Sequence, residues 1–273
     1  MFDDLRNSEF QKNFPLIGID KESEFHDFWC DHLVSEKNLV LRAFKGGMSS
    51  DRFAWIFLSG YQSAIQHTFP EISSDCWSSF AVSEDKKGEL SGLDWHQSEK
   101  GFLLNGYKTW VAAVDQMQTI IVKAGRGDRA IYLAVERDHS NLVLTRKEQG
   151  FLAEMSEGIA CFQDAMVSET KILSNANVKE FGKREVLYIY LAFCGLVVSR
   201  SKDDTVIGKA WSISETISSE ILGGNDFPKL KKIDLDVQEL RVKAEPNMLG
   251  VCRWQTDQKL IAMYSKGIQT RPD

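Results

Sequence analysis

An α+β fold, with helical regions on either side of a central β-domain, is predicted by three observations. Apolar residues recur at helical intervals up to Pro70 and again after Asn177. From Trp77 to about Leu173 the texture changes to short β-branched and aromatic segments broken by turn residues. No internal repeat or low-complexity linker interrupts this order, so the regions are predicted at 1–76, 77–173 and 174–273.

In the first region Phe25, Phe28, Trp29, Leu33, Val40 and Ala43 recur at helical spacing. They predict one amphipathic helix over 21–44, stopped by Gly46-Gly47. A second helix follows from Asp51, with Ser49 or Ser50 as its cap and Asp51 suited to its positive end, and Pro70 closes it. In the middle region the spacing predicts strands at 80–84, 95–98, 102–108, 119–124, 130–135, 143–147 and 158–167. Their lengths suit a compact sandwich or barrel. After it, helices are predicted at 184–200, 204–222 and 233–266, the last interrupted by Pro246 and the middle one closed by Gly223-Gly224.

At 273 residues and 43% hydrophobic the chain can fill a sizeable core. Its net charge of -6, with lysine and arginine dispersed, leaves no footprint for nucleic acid or an anionic membrane. The run 186–198 is shorter than the roughly 20 residues that span a bilayer, and it reads as a buried core helix. Five widely spaced cysteines without a C-x-x-C argue against a disulfide framework and a zinc site. With an acidic start in place of a secretory leader, they predict a cytoplasmic protein. His26 and His32 stand six apart, on different faces of a helix, and no histidine pair has metal-ligand spacing. No G-x-S-x-G surrounds Ser59, so neither metal nor hydrolase chemistry is indicated.

The motif pair is more specific. Phe80-Ala81-Val82-Ser83-Glu84 is followed by Asn105-Gly106-Tyr107-Lys108-Thr109-Trp110. The pair resembles the F-A-(L/V)-(T/S)-E and N-G-x-K-x-W-(I/V)-T segments of the acyl-CoA dehydrogenase family. The stretch Gly158-Ile159-Ala160-Cys161-Phe162-Gln163-Asp164-Ala165-Met166-Val167 is similar to that family's closing strand. The resemblance implies an acyl-CoA dehydrogenase-like fold and FAD as cofactor, with Val82, Ser83, Trp110, Val111 and Ala112 at the flavin. Ser83 falls at the position that meets the pyrimidine side of the ring, and Trp110 at the position of its apolar wall. It also implies an acyl-CoA or acyl-carrier-protein substrate, and a homodimer, homotetramer or association with a homologous dehydrogenase. Glu185 precedes Gly195-Leu196 by the interval at which some branches carry the base that removes the α-proton of the thioester.

Several letters depart from the family. Ala112 replaces the threonine that bonds flavin N5, and Trp211 and Ser214 stand where counting from Gly195 leads to the R-x-x-F-G segment. The usual P-x-x-G-S-D continuation is absent, and Gly88, Ser91 and Gly92 stand in its region. Three functions are therefore carried forward. The first is a flavin-dependent α,β-dehydrogenation of an acyl thioester with Glu185 as base. The second is a non-catalytic scaffold or subunit that binds an acyl group, a carrier protein or an active homologue. The third is a flavin monooxygenase of the same fold.

Overall fold

The computed structural model describes residues 2–6, 18–223 and 227–270. They form two compact units, a β unit of Lys21–His26 and Thr68–Phe181, and a helical unit of Met1–Asp20, Asp27–His67 and Gly182–Asp273.

The β unit holds two sheets. Strands β1 (Ser78–Ala81), β4 (Thr119–Ala124) and β5 (Ile131–Glu136) form the first, with β1 parallel to β4 and β5 antiparallel to it. Strands β2 (Asp94–Ser98), β3 (Gly101–Ala112), β7 (Glu157–Val167) and β6 (Leu142–Arg146) form an antiparallel sheet in the order β2-β3-β7-β6. The middle of β4 and β5 is apolar on both faces, and both are covered: Ile120, Ile121, Val122, Leu133 and Val135 expose 2% or less. Phe69, Phe80 and Phe181 pack together, with Phe80 and Phe181 centred 4.3 Å apart. Helix α1 (Glu22–Phe28) begins in this unit, where the buried carboxylate of Glu22 accepts the hydroxyl of Ser156 at 2.7 Å and its backbone N–H.

Where one helix is expected over 21–44, the chain forms two. After α1 and a π-helical turn (Trp29–Leu33) it breaks, and α2 (Leu39–Ser49) restarts with Asn38 as its cap, accepting from the backbone N–H of Val40 at 3.0 Å. Buried Arg42 stabilises the break by donating to the carbonyls of Val34 and Glu36 at 3.0 and 2.9 Å. Gly46-Gly47 does not stop the helix but lies within α2. A Cβ on Gly47 would sit 1.8 Å from the carbonyl oxygen of Ala192, so the glycine is required by close helix packing. The expected serine cap of α3 (Phe53–Thr68) is likewise not formed. Ser50 donates back to the Gly46 carbonyl at 2.7 Å, and the hydroxyl of Ser49 has no partner among the described residues.

Helix α4 (Asn175–Arg200) starts nine residues before the predicted 184. Its stretch 186–198 is buried on every side, as an all-apolar helix demands. Gly195 lets the helix approach α2: a Cβ there would lie 2.2 Å from the Phe44 carbonyl oxygen. Helix α5 (Asp204–Gly223) ends at the predicted glycine, while Gly224 lies outside the described residues. The last predicted helix is divided into α6 (Phe227–Ala244), a 3-10 turn (Glu245–Asn247) carrying Pro246, α7 (Trp254–Asp257) and α8 (Lys259–Gln269). Among the described residues no helix is long and apolar enough to cross a membrane.

Candidate functional site

In the β unit the two motif segments are bound to each other. Lys108, fully buried on β3, pairs with Glu84 at 2.7 Å, and the N–H of Thr109 donates to the Ser83 carbonyl at 3.0 Å. Burial pushes the Lys108 ammonium down and Glu84 opposes that shift, so removing Glu84 would leave a buried, unpaired ammonium. Asn105 exchanges two bonds of 2.9 Å with Asp164, whose backbone takes a positive φ of 53° where β7 departs from regular pairing with β3. Gly106 has φ 121°, and a Cβ on it would stand 2.3 Å from the Gly92 carbonyl oxygen. Asparagine, glycine, lysine and glutamate of the motif pair thus all have scaffold contacts.

The positions expected at a flavin divide into two groups. Ser83 is exposed, and Val82 and Trp110 are partly exposed. Val111 and Ala112 are fully buried, and the Ala112 N–H already donates to Ser79 Oγ at 2.9 Å. The partly exposed group brings a hydroxyl and an indole to the surface of adjoining segments, whereas the side chains of Val111 and Ala112 are enclosed. Next to these segments a cleft of about 520 Å³ is bordered by Gly92, Asn105, Gly106, Arg126 and Arg129. Its volume falls in the range of small-molecule sites. Arg129 lies over the Trp95 ring at 5.2 Å, while Arg126 is 84% exposed. The cleft carries two guanidinium groups, one of them 3.7 Å from Glu84, together with the carboxylate of Asp94, and no sequence motif marks the arginines.

Glu185 belongs to the helical unit. Because α4 begins at Asn175, it lies well inside the helix rather than in a first turn, and a charge–dipole role at the N-terminus is not open to it. Burial pushes its carboxyl from an ordinary value near 4.5 up to about 7, and a 3.0 Å bond from the Tyr264 hydroxyl opposes the rise. Tyr264 is 79 residues away in the chain, and no local pattern announces it. Trp211, where an arginine was sought, is buried against Phe2 and Phe44 with ring centroids 5.8 and 4.9 Å away.

No family model matches the chain, and no curated protein is detectably similar to it in sequence. Solved structures are similar in fold. An FAD-dependent dehydrogenase shares 11% identity at a TM-score of 0.66, over 92% of this chain and 88% of its own. A glutaryl-CoA dehydrogenase from Mycobacterium smegmatis, in complex with FADH2, shares 10% at 0.62 over 97% and 88%. The prolyl acyl carrier protein oxidase AnaB shares 12% at 0.61 over 98% and 88%. These likenesses establish an acyl-CoA dehydrogenase-like fold of helical and sheet regions.

Proposed function

We propose that the chain is a flavin-dependent oxidoreductase of the acyl-CoA dehydrogenase type that introduces an α,β double bond into an acyl thioester. The observation that carries the reading is Glu185, a carboxyl poised near neutrality by burial in a chain of this fold. A base near the working pH is ionised often enough to accept a proton and basic enough to take one. FAD, held by Ser83 and Trp110 on the β unit, supplies the hydride acceptor when bound. Glu185 takes the α-proton, while Arg126 and Arg129 are assigned to a phosphate of the CoA or acyl-carrier-protein substrate. Self-association, or pairing with a homologous dehydrogenase, belongs to the same reading. Leu235 and Val242 support it: each is 60% exposed, and they lie seven residues apart on one side of α6.

One observation favours a second reading. Ala112 supplies no hydroxyl and its N–H is committed to Ser79, which fits a scaffold that has given up flavin chemistry and binds an acyl group, a carrier protein or an active homologue. The visible spectrum of the purified protein with added FAD and with FMN separates the two. A bound flavin spectrum is expected. No bound flavin at high cofactor concentration would leave only the scaffold reading.

A further inference from the structure

Three helices of the helical unit converge on one buried carboxylate, Asp234, whose partner Ser265 adjoins the residue that bonds Glu185. Asp234 on α6 is fully buried and accepts from Tyr190 on α4 at 2.6 Å. It also accepts from Ser265 at 2.8 Å and Gln269 at 2.6 Å, both on α8. The register of α8 against α4 is thereby fixed at the residue next to Tyr264. The Tyr264 ring meets Tyr190 edge-on, at 6.4 Å and 89°. Its hydroxyl reaches Glu185 Oε1 at 3.0 Å, and no described residue takes Oε2.

From this geometry we propose that Tyr264 is a positioning residue for Glu185, holding one carboxylate oxygen so that the other is presented to the proton to be removed. The inference rests on the reading of Glu185 as the base. Burial, with the nearby Glu185 charge, holds the Tyr264 phenol far above its ordinary range, so it stays protonated and donates to the ionised carboxyl. A donor of fixed protonation stabilises the ionised carboxyl over the neutral one and offsets part of the cost of burial. Tyr61 from α3 and Tyr190 from α4 act on Tyr264 itself. Among the described residues no charged side chain acts on the carboxyl. A purely structural bond between α8 and α4 would hold the helices together without any need to tune that group.

Infrared titration distinguishes these roles without flavin or substrate. The carbonyl band of the protonated Glu185 acid, identified by its loss in Glu185→Gln, is followed with pH in the wild type and in Tyr264→Phe. The midpoint is expected to rise by about one unit or more in Tyr264→Phe, as loss of a bond to a charged group predicts. An unchanged or lower midpoint overturns the proposal. Replacing Tyr264 with 3-fluorotyrosine, a more acidic donor, is expected to lower the midpoint. Should Tyr264→Phe fail to fold, the absence of that fall overturns the proposal instead. Failure of the oxidoreductase reading would appear separately, as a missing flavin spectrum, and would leave both midpoints where they are.

Discussion

The motif 105–110 and the residue Glu185 point to the same family, yet the molecule employs them in opposite ways. Four motif positions make contacts that hold the β unit together: Asn105 to Asp164, Gly106 beneath the Gly92 carbonyl, and Lys108 to Glu84. Glu185 has one bond, to a phenol, and a carboxyl displaced to about 7. A chain can therefore retain the first pattern for its fold alone. A buried carboxyl with raised pKa carries a stability cost, and such groups concentrate at functional sites. The contrast explains why the motif pair speaks to architecture, whereas the proposed chemistry rests on the carboxyl.

The comparison can be broken most forcefully at Gly106. Gly106→Val places a branched side chain at φ 121° and against a backbone oxygen that cannot withdraw. It is expected to cost about 4 kcal/mol, the range of substitutions that combine backbone strain with overpacking. Urea denaturation followed on the β unit checks this. A loss below about 1 kcal/mol would show that the 84–92 loop yields and that the glycine is not a scaffold requirement.

Glu185 should show the reverse. Its folded pKa of about 7 lies above an ordinary 4.5, so the folded state binds the proton more tightly. The neutral acid's contribution is complete below about pH 4.5 and is lost as pH rises through 7. Glu185→Gln keeps a neutral side chain at every pH. Its stability relative to wild type should thus climb across that window by up to about 3 kcal/mol. Denaturation curves of both proteins at several pH values provide the measurement, and parallel profiles would remove the perturbed carboxyl from the account.

Much of the architecture was legible because it is written in local period. The strand β4 was predicted at 119–124 and occurs there, a short β-branched run that is buried almost throughout between two neighbouring strands. Gly46-Gly47 misled because its cause is distant: the pair reads as a stop until Ala192 is seen against it. The break before α2 did carry a local signal, since Asn38 immediately precedes an apolar helix and caps it, but the longer hydrophobic period around it dominated. Strand β1 ends at Ala81 rather than 84, leaving Val82 and Ser83 outside the ladder and Ser83 exposed. At the candidate site, spacing reached Glu185 and Trp110. Tyr264, Arg126 and Arg129 were out of reach because helix packing and a loop, not sequence proximity, bring them to their positions.

Trp110 is where the two kinds of residue meet. It belongs to the scaffold motif by sequence, yet it is partly exposed, unlike buried Lys108 two positions before it. If its indole is the wall of a flavin site, Trp110→Ala removes a stacking surface worth about 1 kcal/mol and weakens flavin binding about fivefold. The urea midpoint of the β unit should then move little. Isothermal titration with FAD, run beside denaturation of the same variant, reads both quantities. A large fall in stability with unchanged flavin affinity would place Trp110 with Asn105, Gly106, Lys108 and Glu84 as a fifth scaffold contact. That outcome would leave Val82 and the exposed Ser83 as the residues of the motif pair still assigned to a cofactor.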